Sequence, residues 1–202
     1  MEPSAEVLIA EADRLFADLP IRHVMVAGAE VAKRVRPGFL EGGNQEVVNL
    51  TMELRRPPDR EPPAAELVEL GAAELGPTVN AYMRGGPRDE HAQRELALLK
   101  EELGHSGVRF LAALVEGEVA GWCEMRRHAT AGQVEDVVVL EPFRGRGLAR
   151  ALVCRAVERL RADGCDSIFV VADDNDTVKD LYRRLGFDDV GRRWSFWWPR
   201  AW

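Results

Sequence analysis

The sequence predicts an α/β protein, and three observations carry that reading. Apolar strand-like runs are interleaved with amphipathic helical stretches through most of the chain. Residues 108–115 and 119–125 flank the turn Glu116-Gly117-Glu118, the pattern of an antiparallel hairpin. Residues 133–140 then form a strongly apolar strand that passes through Arg144-Gly145-Arg146-Gly147 into a long helix and on to the strand 167–172. A strand, helix and strand in that order make a parallel crossover beside the hairpin.

Taken in order, Val7, Leu8, Leu15 and Phe16 have helical spacing. His23-Val24-Met25-Val26 reads as a strand, and 29–35 as a short helix stopped by Pro37-Gly38. Residues 47–54 read as another strand, completing an αβαβ extension over 1–54. The stretch 55–63 holds four prolines and five charges in nine residues and suits an extended linker. Leu67-Val68-Glu69-Leu70 follows as a strand, with helical stretches at 72–83 and 88–103. The long helix, from about 147 to 163, repeats apolar residues at Ala149, Leu152, Val153, Ala156, Val157 and Leu160, and Gly164 stands where a C-terminal cap belongs. A second helix carries Val178, Leu181, Tyr182 and Leu185 and ends at Gly186. The tail reads as a last strand, with Trp194, Phe196 and Trp198 on one face, either walling an acceptor pocket or packing the sheet or a subunit contact.

Composition narrows the function. The chain has 202 residues, 46% of them apolar, enough to bury a core without disulfides or metals. Lys and Arg number 27 against 34 Asp and Glu, and a net charge of −7 argues against a nucleic-acid-binding protein. No apolar run approaches the ~18 residues of a membrane helix, and the acidic N-terminus is unlike a secretory signal, so a cytoplasmic protein is expected. Cys123, Cys154 and Cys165 form no paired spacing, and His23, His91, His105 and His128 are too scattered for a metal site. No metal is expected. Cys154, inside a helix with no histidine near it in sequence, reads as a packed thiol rather than a nucleophile.

The chemical signal is the loop before the long helix. Two glycines let the backbone turn sharply and leave N–H groups facing outward at a helix N-terminus, a site for phosphate. Arg144, Arg146 and Arg150 add positive charge to an acidic chain. A dinucleotide fold fits poorly, because Arg150 replaces the third glycine and four residues separate strand from loop, although Asp173 and Asp174 stand where a ribose-binding acid would.

With these residues in view, the sequence from about 66 to 202 resembles the GNAT superfamily of acyl-CoA-dependent N-acyltransferases. That family's pyrophosphate loop, Gln/Arg-x-x-Gly-x-Gly/Ala, is met by Pro142-Phe143-Arg144-Gly145-Arg146-Gly147, with Pro142 at the first position. Its Asn-x-x-Ala-x-x-Leu-Tyr-x-x-x-Gly-Phe motif is met from Asn175 through Leu181 and Tyr182 to Gly186 and Phe187, with Val178 for the alanine. The resemblance implies a GNAT-like domain over 64–202, built on a mixed sheet whose central strands splay apart. It implies a pantetheine arm bonded to the backbone of Val137, Val138 and Val139, and a diphosphate over Arg144, Gly145, Arg146, Gly147, Leu148 and Ala149, with Asn175 also at the donor site. Acetyl-CoA is the implied donor and an amine, of a small molecule or a protein, the acceptor. Tyr182 stands at the family's position for the group that protonates or orients the departing thiol.

A proton must also leave the attacking amine. Glu135 is the first candidate, on a strand where strict alternation places it on one face with Val137 and Val139. Asp136, facing the other way, and Glu124 on the neighbouring strand are the alternatives. A non-catalytic acyl-CoA sensor or partner-binding module is the competing reading. Residues 1–54 are compatible with a degenerate half of a second acyltransferase fold, a cover for the acceptor site or a homodimer face.

Overall fold

The computed structural model describes residues 4–19, 21–84 and 106–199. The helix expected over 88–103 lies outside the described residues, as do His91 and His105. Eight strands and five α-helices are present among those described, and they divide into two compact units.

The larger unit comprises Glu53–Val170 with Arg184–Phe187. Its strands are β3 (Glu66–Leu70), β4 (Arg109–Val115), β5 (Glu118–His128), β6 (Ala131–Val139) and the first half of β7 (Ser167–Asp173). β3 to β6 pair antiparallel in sequence order; β4, β5 and β6 are joined by two-residue turns, whereas residues 71–108 separate β3 from β4. At the β4–β5 turn both Glu116 and Gly117 have positive φ, 54° and 81°, the backbone a tight two-residue hairpin needs. β7 joins β6 in parallel from Ala131↔Ser167 to Val134↔Val170. That register stops at Val134, while β6 runs on to Val139.

Helix α4 (Leu148–Ala162) makes the crossover between β6 and β7. Of the stripe read from the sequence, Leu152, Val153, Ala156, Val157 and Leu160 are buried along its inner face and Ala149 is half-buried, with Leu148 and Ala151 buried beside them. The helix lies close on β6, since a Cβ at Gly132 would come 3.1 Å from Leu160 Cδ1. On β5 and β6, Trp122 packs with Phe110, Val138, Leu75 and Val79, the last two from helix α3 (Ala72–Arg84).

The smaller unit comprises Met1–Met52, Val171–Arg183 and Asp188–Trp202. It holds α1 (Ala5–Leu15), β1 (Ile21–Ala27), α2 (Ala29–Glu41), most of β2 (Gln45–Leu54), the end of β7, α5 (Val178–Arg184) and most of β8 (Phe187–Pro199). Strand neighbours within it run β1-β8-β2-β7. Its core is Ala5, Val26, Ala32, Val35, Phe39 and Phe196, with the Phe39 and Phe196 rings stacked at 4.3 Å.

That core explains a departure from the sequence reading. The helix expected to stop at 35 continues through Pro37 to Glu41. Proline forfeits one backbone hydrogen bond, but the extra turn carries Phe39 to full burial against Phe196. Gly38 lets α1 approach so closely that a Cβ there would lie 2.6 Å from Ala5 Cβ. The tail aromatics are settled by the same core. Phe196 is fully buried, and Trp194 and Trp198 pack against its cluster.

Candidate active site

The loop after β6 has the backbone that its glycines foretold. Leu140 leaves the strand extended, Glu141–Phe143 forms one 3₁₀ turn, and Gly145 and Gly147 take left-handed φ values of 78° and 79°. Gly147 is also the residue that starts α4. Side chains at those two positions would be strained, so glycine is needed at both. The first amides of α4 lack intrahelical acceptors and no side chain caps them, leaving donors and a positive dipole end for an anion. The proline at 142 is harmless here because it lies in the first turn of the 3₁₀ segment.

The arginines of the loop behave differently from one another. Arg144 Nε donates to the Val139 carbonyl at 3.2 Å. The Arg146 guanidinium lies 5.5 Å from the Phe143 ring centroid, a cation–π contact. Arg150 is almost wholly buried and pairs with Asp59 at 2.7 Å. Leu148 is buried and Ala149 half-buried, so these two contribute backbone at the helix start.

β6 itself departs from the alternation assumed for it. Trp122 of β5 faces Val138 and Glu124 faces Glu135, so two residues of β6, Asp136 and Val137, stand against Cys123 alone. This is a β-bulge, and Asp136 has φ of 50° within it. The extra residue reverses the faces beyond it. Glu135 therefore shares a face with Val138, across from Glu124 and Trp122, and not with Val139, which faces Gly121. Asp136 is likewise turned to this side, since its carboxylate accepts from Trp122 Nε1 at 3.3 Å.

The bulge brings all three candidate carboxylates together. Glu124 is fully buried and accepts from Arg126 Nε at 3.0 Å. Glu135 is half-buried and accepts from Gln133. Burial holds the Glu135 carboxyl above its ordinary pKa, with Arg126 opposing the shift and Glu124 and Asp136 adding to it. A carboxyl raised in this way is a better proton acceptor near neutral pH than an exposed one. Cys123, in the same strand as Glu124, is buried and its thiol is pushed far up, which leaves it inert. Cys154 is half-buried and also shifted up by burial.

In the smaller unit, Tyr182 lies on α5 and is buried. Asn175 is exposed in the turn before that helix, where its backbone N–H donates to Asp173 Oδ1 at 2.8 Å. Asp176 Oδ1 accepts from the Val178 amide at 3.2 Å, capping the helix start. The acidic run thus serves the turn, with Asp174 paired to Arg192 and Lys179. Among the described residues no group of three His, Cys, Asp or Glu side chains is placed to hold a metal ion, and no helix is long and apolar enough to cross a membrane.

Open amides at a strand-to-helix turn thus follow directly on the stretch of β6 beyond Val134, where the parallel register with β7 has ended. The family profile described as acetyltransferase (GNAT) matches residues 75–187, more than half of the chain. The chain belongs to that family, whose activity is acyl transfer from CoA. It is 36% identical over 93 residues to an acetyltransferase of Pectobacterium atrosepticum, a match covering 46% of this chain and 66% of the relative. Among solved structures, a conserved Staphylococcus epidermidis protein of unknown function superposes with a TM-score of 0.75 at 15% identity, over 98% of this chain and 82% of that one. A GNAT-family acetyltransferase of Colwellia psychrerythraea gives 0.63 at 15% identity, over 87% and 65%. At such identities the structures show the fold alone.

The sequence motifs located the glycine turn before α4 and the helix that carries Tyr182 directly. What they missed is the bulge. The contribution of residues 59–63 to the loop's surroundings was also missed, because a proline-rich stretch reads as a linker.

Proposed function

We propose that the protein is an N-acetyltransferase that transfers the acetyl group of acetyl-CoA to a primary amine of a small molecule or protein. The observation that carries this reading is the coincidence of two features at one end of β6. The parallel ladder with β7 ends at Val134, and the strand continues into a loop whose amides open at a helix start. An extended amide-bearing arm is the ligand suited to the unpaired edge, and a diphosphate is suited to the loop. The backbone of Val137, Val138 and Val139 would take the arm, with the Arg144 side chain leaving the Val139 carbonyl to make room.

The chemistry follows from charge. An amine is protonated at neutral pH and must lose a proton before its lone pair attacks the thioester carbonyl. Glu135 accepts that proton, directly or through water, because its raised pKa suits it to the task. As the new C–N bond forms the C–S bond breaks, and the Tyr182 phenol gives a proton to the departing thiolate. The position of Tyr182 in the Leu-Tyr-x-x-x-Gly-Phe motif supports that role. The net charge of −7 favours a cationic acceptor through long-range attraction.

The test is thiol release from acetyl-CoA across a panel of amines. One or more amines should give turnover, and Tyr182→Phe should lower kcat by roughly 10²-fold while CoA affinity stays near wild type. Tight CoA binding with no turnover on any amine would reduce the protein to an acyl-CoA-binding module.

A further inference from the structure

Residues 55–63 are fixed at both ends within the larger unit. The Arg55 and Arg56 amides donate to the Gly186 carbonyl at 2.9 and 3.3 Å, and the Asp59 amide donates to the Arg184 carbonyl at 2.8 Å. At the other end the Asp59 carboxylate pairs with the buried Arg150, whose Nη1 also donates to the Arg60 carbonyl at 3.1 Å. The Pro63 ring then lies on the phosphate loop, so near that a Cβ at Gly147 would come 2.7 Å from Pro63 Cγ. The stretch is a strap, not a loose tether, and it lies outside the matched family domain.

Between strap and loop is a pocket of about 370 Å³, walled by Arg60, Glu61 and Pro63 on one side and by Gly145, Arg146 and Gly147 on the other. Its charges are unequally available. Arg150 is committed to Asp59, and Arg144 to the Val139 carbonyl. Among the described residues, Arg60 and Arg146 form no ion pair, and Glu61 is the acid that stands against them. A guanidinium delivered opposite two left-handed glycines matches a diphosphate held by their amides.

We propose that Arg60 is a ligand of the donor's diphosphate, brought to the loop by a strap that the Asp59–Arg150 pair holds in place. The phosphate site is therefore completed from outside the family domain. Glu61 weakens the same interaction by repulsion. The inference rests on the acyl-CoA reading above.

Calorimetric titration with CoA and with dephospho-CoA, which keeps the diphosphate and lacks the 3′-phosphate, tests it. Arg60→Ala should raise the Kd for both by about five- to tenfold at low salt. Arg60→Lys should recover part of the loss, and Glu61→Gln should tighten binding by about two- to threefold. The differences should shrink as salt is raised, because the pocket is open and its charges are screened. Thermal melting of each variant accompanies the titrations, and Arg60→Ala should melt with wild type because its side chain is exposed. Equal CoA affinity of Arg60→Ala and wild type, or a defect that disappears with dephospho-CoA, would overturn the assignment while leaving the acyl-CoA reading intact. Failure of the wild-type chain to bind CoA at all would overturn both.

Discussion

The two ends of the bulged half of β6 carry opposite chemistry within a few residues of each other. At the bulge, Glu124, Glu135 and Asp136 gather beside Trp122 and Arg126, and the acids are wholly or half buried. At the loop, Arg60 and Arg146 face an open pocket with left-handed glycines between them. One region concentrates negative charge where water is scarce, which raises a pKa. The other spreads positive charge where water is plentiful, which would suit reversible anion binding on the proposed reading. On the proposed reading, a single strand offers an anion holder and a proton acceptor at fixed separation, and acyl transfer from an anionic carrier to a protonated amine would call for both.

The comparison breaks most visibly at Glu135. Glu135→Gln should lower kcat by roughly 10²-fold with CoA affinity kept, and should flatten the acid limb of the kcat–pH profile. That limb should lie above the ordinary glutamate range. The same substitution has a stability signature of defined sign. A carboxyl whose pKa is raised on folding favours the folded state fully below its unfolded pKa, and that contribution is lost as pH rises through the folded value. The glutamine variant should therefore gain in Tm relative to wild type on going from acid to neutral pH. A pH-independent Tm difference would show that Glu135 is not titrating in the fold.

At the loop, Gly147→Ala forces an alanine into left-handed backbone and drives its Cβ toward Pro63. About 1–3 kcal/mol of stability should be lost in denaturant unfolding, and CoA affinity should fall about tenfold or more. Asp59→Asn leaves the buried Arg150 guanidinium without its anion. Because Asp59 is itself 44% exposed, the cost should be nearer 1–2 kcal/mol than that of a fully buried pair. Smallest is Trp122→Phe, which removes the Nε1 bond to Asp136 and trims a buried indole to a single ring. About 1 kcal/mol should be lost, with any change in the pH profile confined to the carboxylate limb.

Several features were legible without coordinates because they depend on local backbone chemistry. Gly145 and Gly147 could be read as a turn into a helix, Gly164 as a helix stop, and Glu116-Gly117 as a hairpin, since each needs only a φ value that other residues resist. The apolar stripe of α4 was equally plain, and so was the Tyr182 helix. Where the reading failed, a distant partner had intervened. Pro37 does not end α2, because Phe39 finds Phe196 more than 150 residues away. Glu135 does not follow Val139, because β5 is one residue short opposite Asp136 and Val137.

The amino-acid order by itself determined the family's two motifs, the glycine turn before α4 and the strands and helices that frame it, since dihedral preference and hydrophobic period act over a handful of neighbours. Only the tertiary structure decided which face Glu135 presents, which arginines are spent on the protein's own groups, and that a proline-rich stretch lies against the glycine loop. Register, ion pairing and close backbone approach are properties of chain segments meeting in space, and no window of sequence contains both partners.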